Sequence, residues 1–189
     1  MNTEITYAAF AGDQLLKTGP LTDVLAAVKL TQDGGETRSI LIFNNQTGKE
    51  VDFDFRGSLD EVLARVKPKS VAKGPGRPRL GVESREVTLL PRHWAWLQRQ
   101  PSGASAALRR LVEEASRIKN PDEETRRARD AAYSFMSVMA GNRPGFEEAA
   151  RALYAEDKTN FADLTKNWPA DIRTHLNHLL EPVMCETIA

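Results

Sequence analysis

Thiol chemistry is almost missing from this 189-residue chain, whose one cysteine is Cys185. A lone cysteine cannot close an internal disulfide, so nothing points to an oxidising compartment and the fold must stand on packing. Long apolar runs are missing as well. None approaches the roughly 20 residues that a membrane-crossing helix requires, and we expect no membrane partner. Met1–Phe10 has neither the basic start nor the apolar core of a secretory signal, so the expected location is the cytoplasm. The signatures of common catalytic machinery are lacking too: no nucleophile elbow, no phosphate-binding glycine loop, no zinc-ligand spacing, no paired carboxylates. We therefore expect no enzyme: no catalytic residue, no cofactor and no metal. What is present is an ordinary soluble balance, 41% hydrophobic and 28% charged, in a chain long enough to bury a core.

Net charge is the last absence, and it conceals a pattern. Lys and Arg number 26, as do Asp and Glu. Residues 67–119 hold twelve basic residues against four acidic, a net +8. Residues 1–66 hold six against ten, and residues 120–189 eight against twelve, so each end is −4. A basic belt between two acidic ends is what a nucleic-acid surface looks like when the whole-chain balance is neutral.

The chain before the belt has the pattern of a small α+β unit. Residues 4–10 (EITYAAF) suggest a first strand, ended at Ala11-Gly12-Asp13. Leu21, Leu25 and Val28 recur at helical spacing over Leu21–Leu30. Ser39–Asn44 is apolar and strand-like, and Glu50–Arg56 alternates Val51, Phe53 and Phe55 with acids, so 39–56 is expected to be a hairpin. Ser58, with Glu61 three residues on, has the spacing of a capping box for a helix over Leu59–Val66. The expected domain at 1–66 is thus a three-stranded sheet with two helices.

Lys67–Gly81 is rich in proline, glycine and cations and reads as a basic linker or arm. Within it, Gly74-Pro75-Gly76-Arg77-Pro78-Arg79 resembles an AT-hook, although Pro75 stands where that motif has arginine. The resemblance implies an extended strip, with Lys73, Arg77 and Arg79 along a narrow A·T minor groove. A phosphate-attracting arm and a solvated linker are the other readings.

Residues 82–119 carry a short alternating run, Arg85–Leu90, then a helix over Pro91–Gln100, the break Pro101-Ser102-Gly103, and a helix over about Ala104–Ile118. Leu108, Leu111, Val112 and Ala115 lie on one face of the second helix. Strand, helix, glycine turn, helix resembles the ribbon-helix-helix fold, in which two chains pair their strands into a ribbon that enters the major groove. The resemblance implies a homodimer on double-stranded DNA, A·T-rich if the arm takes part. Arg85, Glu86, Thr88 and Ser84 would lie on or beside the strand face that meets bases; Ser102, Gly103 and Ser105 would meet a phosphate. The plain alternative is a helix–loop–helix packed in a core around Trp94 and Trp96.

Residues 120–189 are helical in pattern throughout, with helices expected near Asp122–Ala140, Phe146–Ala155, Thr159–Lys166 and Pro169–Glu181, packed as a separate unit. His175 and His178, three apart, could approach one metal, but no carboxylate joins them at ligand spacing. The segments GRPRLGVESREVTLLPRHWAWL and YSFMSVMAGNRPGFEEAARALYAEDKTNFADLTKNWPADIRTHL resemble a bacterial protein family of unknown function, a likeness that implies no activity. The functional expectation is a dimeric DNA-binding regulator or architectural protein; the alternative is an intracellular protein–protein adaptor.

Overall fold

The computed structural model describes residues 5–67, 85–117 and 121–181. They divide into two compact units: residues 1–67 together with 121–189, and residues 68–120.

The first unit is built on a three-stranded antiparallel sheet in the order β2-β1-β3, with β1 at Thr6–Ala11, β2 at Gln14–Pro20 and β3 at Ile40–Asn44. The middle strand explains the layering. Ala8, Ala9, Phe10 and Ala11 are all fully buried, so both faces of β1 are covered. Ala9 and Ile42 face one way, into a core with Val24, Leu25, Val28 and Val62. These last four belong to α1 (Leu21–Asp33) and α2 (Leu59–Val66). Ala8, Phe10 and Phe43 face the other way, into a larger core with Phe135, Met136, Ile172 and Leu176. That second layer is made by α5 (Pro121–Ala140), α6 (Phe146–Tyr154), α7 (Lys158–Thr165) and α8 (Ala170–Leu179). Side chains alternate across a strand, so one short apolar run can bind two helical layers at once.

The two acidic ends, taken as separate units in the sequence, therefore share one core. Aromatic rings hold its centre. Phe135 lies 5.3 Å from Phe10 and 4.9 Å from Phe43, and the buried His175 ring sits 4.6 Å from Phe135. Polar ties join the same segments. Arg143 Nη2 donates to both carboxylate oxygens of Asp13 at 2.7 Å, and the Leu15 amide donates to Asp171 Oδ2 at 2.9 Å.

The sheet corrects two expectations. Its third member is β2, not residues 50–56: Gln14–Pro20 is a half-exposed edge strand ending in Gly19-Pro20, and proline is tolerated at an edge. Only a single bridge, Phe43 to Glu50, remains of the expected hairpin. Beyond it the backbone is held by a side chain instead of a ladder. Arg65 Nη1 donates to the carbonyls of Asp54 and Arg56 at 2.8 and 2.7 Å, while Phe53 and Phe55 pack against the α1/α2 core. The capping box of α2 forms as its spacing implies: the Ser58 amide donates to Glu61 Oε2 at 2.7 Å, and the Glu61 amide to Ser58 Oγ.

The described part of the second unit is an extended lead, residues 85–90, followed by α3 (Pro91–Gln98) and α4 (Gly103–Arg117). Pro91 opens α3 where its missing amide hydrogen costs nothing. Among the described residues the whole protein is mixed α+β, with three strands and eight helices, none long and apolar enough to cross a membrane.

Candidate functional site

The basic belt falls on the second unit. Its arm residues Lys73, Arg77 and Arg79, and Ser84, lie outside the described residues. Arg85, Glu86 and Thr88 lie on the extended lead and are exposed. That lead belongs to no strand of the single chain, so the expected ribbon is not formed within one copy.

The turn between α3 and α4 is tightly specified. Ser102 and Gly103 both have left-handed backbone, φ 72° and 79°. Glycine takes that conformation freely, whereas serine there is uncommon. The Gly103 amide donates to the Gln100 carbonyl at 3.2 Å, which closes the turn and occupies the hydrogen that a phosphate would have needed. Ser102 and Ser105 remain exposed at the start of α4. Arg92, Arg99, Arg109 and Arg110 are exposed along the two helices. Arg99 and Arg109 fold back onto carbonyls of their own helices, those of Ala95 and Ser105, and Arg110 lies 3.9 Å from Glu114.

Little of this unit is buried. Leu97 of α3 and Ala107 of α4 are its only buried apolar residues among those described, 3% and 2% exposed. The expected α4 face is largely open: Leu108 is half-buried, Leu111 39% exposed and Val112 66% exposed. Val87, Leu90, Trp94 and Trp96 are exposed as well. The tryptophans that a packed helix–loop–helix would place at its centre are on its surface.

The histidine pair is split by environment. His175 is 2% exposed among aromatic rings, and burial, followed by the nearby His178, holds its imidazole down at about 4. His178 is exposed, its Nδ1 3.4 Å from Glu181. No group of three or more metal-binding side chains occurs among the described residues.

A further feature carries no linear signal at all. A cavity of about 130 Å³ opens among α5, α6, α7 and α8, with an apolar wall and with Arg129, Glu156, Asp157, Lys158 and Arg173 also on its lining. Its lining is spread from position 129 to position 180, so no motif could announce it.

The comparison with protein families matches residues 6–180, running through both units. The chain belongs to the family of uncharacterized proteins conserved in bacteria termed DUF2239. Membership shows that the acidic ends and the basic middle form one family architecture, and it carries no activity. No curated protein and no solved structure matches the chain significantly.

Proposed function

We propose that this DUF2239 protein binds double-stranded DNA as a homodimer, as a transcriptional regulator or an architectural protein, through residues 67–119. The observation that carries the reading is the open apolar surface of the second unit beside its arginines. Among the described residues only Leu97 and Ala107 of this unit are buried apolar side chains, and short helices in water depend on tertiary packing. Val87, Leu90, Trp94, Trp96, Leu111 and Val112 present the matching apolar surface, and a second copy presents the same surface in return. Residues 85–90 are extended, and an antiparallel second copy can pair with them, which would turn Glu86 and Thr88 towards base edges. The arm, with Lys73, Arg77 and Arg79, supplies phosphate attraction and contact along an A·T minor groove. A +8 belt on each of two copies gives the electrostatic attachment.

The test is fluorescence anisotropy of labelled A·T-rich and G·C-rich duplexes across a salt series, with sedimentation equilibrium of the free protein. The expected outcome is a dimer whose affinity falls roughly a thousandfold between about 50 and 200 mM salt if six phosphates are engaged. Arg77→Ala/Arg79→Ala weakens binding and reduces the A·T preference, and Val112→Lys breaks the dimer. A monomer that binds neither duplex at low salt overturns the proposal. Exposed Trp94 and Trp96 would then favour the adaptor reading, since tryptophan is enriched among the anchor residues of protein interfaces.

A further inference from the structure

The cavity among α5–α8 lies in the first unit and has the composition of a ligand site. Its apolar wall is Leu153, Phe161, Leu176 and Leu180, each almost fully removed from solvent. A small hydrocarbon group laid against that wall gains dispersion contacts and sheds its hydration.

Two guanidinium groups line the same cavity in different electrostatic states. Arg129 Nη1 is paired with Glu156 Oε1 at 2.7 Å. Glu156 reaches it from the α6–α7 connection, where its backbone is left-handed, φ 60°, an uncommon conformation for a residue with a side chain. Asp157 is committed as well, accepting from the Asn160 amide at the start of α7. Arg173 of α8 has no carboxylate partner among the described residues, and its Nε, like that of Arg129, is buried without an acceptor. A buried donor left unpaired is costly, and a guanidinium edge matches the two oxygens of a carboxylate.

We propose that this cavity binds a small apolar monocarboxylate, its carboxylate on Arg173 and its hydrocarbon portion against Leu153, Phe161, Leu176 and Leu180. The pairing neutralises the one arginine of the cavity that has no carboxylate partner among the described residues and sets a hydrocarbon against the apolar wall. Arg129 stays paired with Glu156 and serves as wall. The site is independent of the DNA-binding proposal, because none of its residues belongs to residues 67–119.

The experiment is calorimetric titration of the full chain with straight-chain carboxylates of four to eight carbons and with benzoate, against the matching alcohols and amines. Carboxylates are expected to bind saturably at one site, tightening about fourfold for each methylene that remains inside the cavity. Alcohols and amines bind at least tenfold more weakly. Arg173→Gln lowers carboxylate affinity at least tenfold and erases the preference over alcohols. Arg173→Lys, which keeps the charge and loses the fork, falls between. Ala162→Phe, at an exposed position on the cavity rim, blocks all of them. Thermal melts of the free variants check that each is folded; if Arg173→Gln is not, the Lys and Ala162 variants carry the test. Equal affinity for carboxylate and alcohol, affinity unchanged in the folded Arg173 variants, or no saturable binding by any ligand of the series overturns the proposal.

Discussion

His175 shows how a single buried ring couples this fold to acid. It is enclosed by Phe10 and Phe135, at 5.4 and 4.6 Å, and its Nε2 has no partner. In the unfolded chain the imidazole takes a proton at its ordinary 6.5; in the folded protein it resists to about 4. Between those values the unfolded state holds more protons, so falling pH favours unfolding. The stability due to neutral His175 is intact above 6.5 and is lost as pH drops from 6.5 towards 4. The loss is expected to reach ~2–3 kcal/mol by about pH 4.5. Urea unfolding at about pH 7, 5.5 and 4.5 measures it, and His175→Phe, which keeps a ring in the aromatic cluster, is expected to flatten the profile over that interval. Glu36 is a useful contrast. Hydrogen bonds from Arg38 hold its carboxyl at about 2, so its titration in the folded protein lies below this window. At Gly48 the constraint is steric. Its φ is +64°, and a Cβ there would overlap the Ala131 carbonyl of α5. Gly48→Ala is expected to cost ~3 kcal/mol or more, because both the backbone conformation and the seat of the turn on α5 are lost. A melt unchanged from the parent would show that the turn does not sit there.

At the scale of elements, β2 and α8 depend on one another. Asp171 stands in the first turn of α8, where a carboxylate is favoured by the helix dipole, and it accepts the Leu15 amide of the edge strand. Asp171→Ala orphans a part-buried amide and is expected to cost ~1–3 kcal/mol, whereas Asp171→Asn keeps an acceptor and costs less. Chemical denaturation of both variants separates the hydrogen bond from mere side-chain loss. Elements with complete local signals were legible in the chain itself. The box Ser58–Glu61 starts α2, Pro91 opens α3, and the apolar spacing of Phe135, Met136 and Met139 marks α5. Elements whose hydrogen bonds are decided at a distance were not. Phe53 and Phe55 alternate as a strand should, yet Arg65 takes the carbonyls of Asp54 and Arg56. Gln14–Pro20 has little strand character, yet the amides and carbonyls of β1 recruit it into the sheet.

For the molecule as a whole, the consequence of the two-sided strand β1 is cooperativity between distant parts of the chain. Ala8 and Phe10 are covered by helices that begin more than a hundred residues later. Residues 1–67 expressed alone are therefore expected to lack a cooperative thermal transition, because one face of their sheet would be bare. Replacing residues 68–120 with a flexible Gly/Ser segment of similar length is expected to preserve cooperative unfolding, since the core of the first unit lies entirely within 1–67 and 121–189. Circular dichroism melts of the two variants decide between a shared core and independent ends.

By itself the sequence determined what depends on neighbours along the chain: the helices of periodic spacing and their caps, the basic belt, the family. Charge order and i, i+3, i+4 periodicity are local quantities, and they survive in any packing. Only the tertiary structure decided which faces are covered. It merged the two acidic ends into one core and left Leu111 and Val112 exposed where periodicity suggested a packed face, with Trp94 and Trp96 exposed beside them. It also brought Arg173 into one cavity with Leu153, Phe161, Leu176 and Leu180. Burial is a property of what lies opposite a residue, and in this chain what lies opposite is often a hundred residues away.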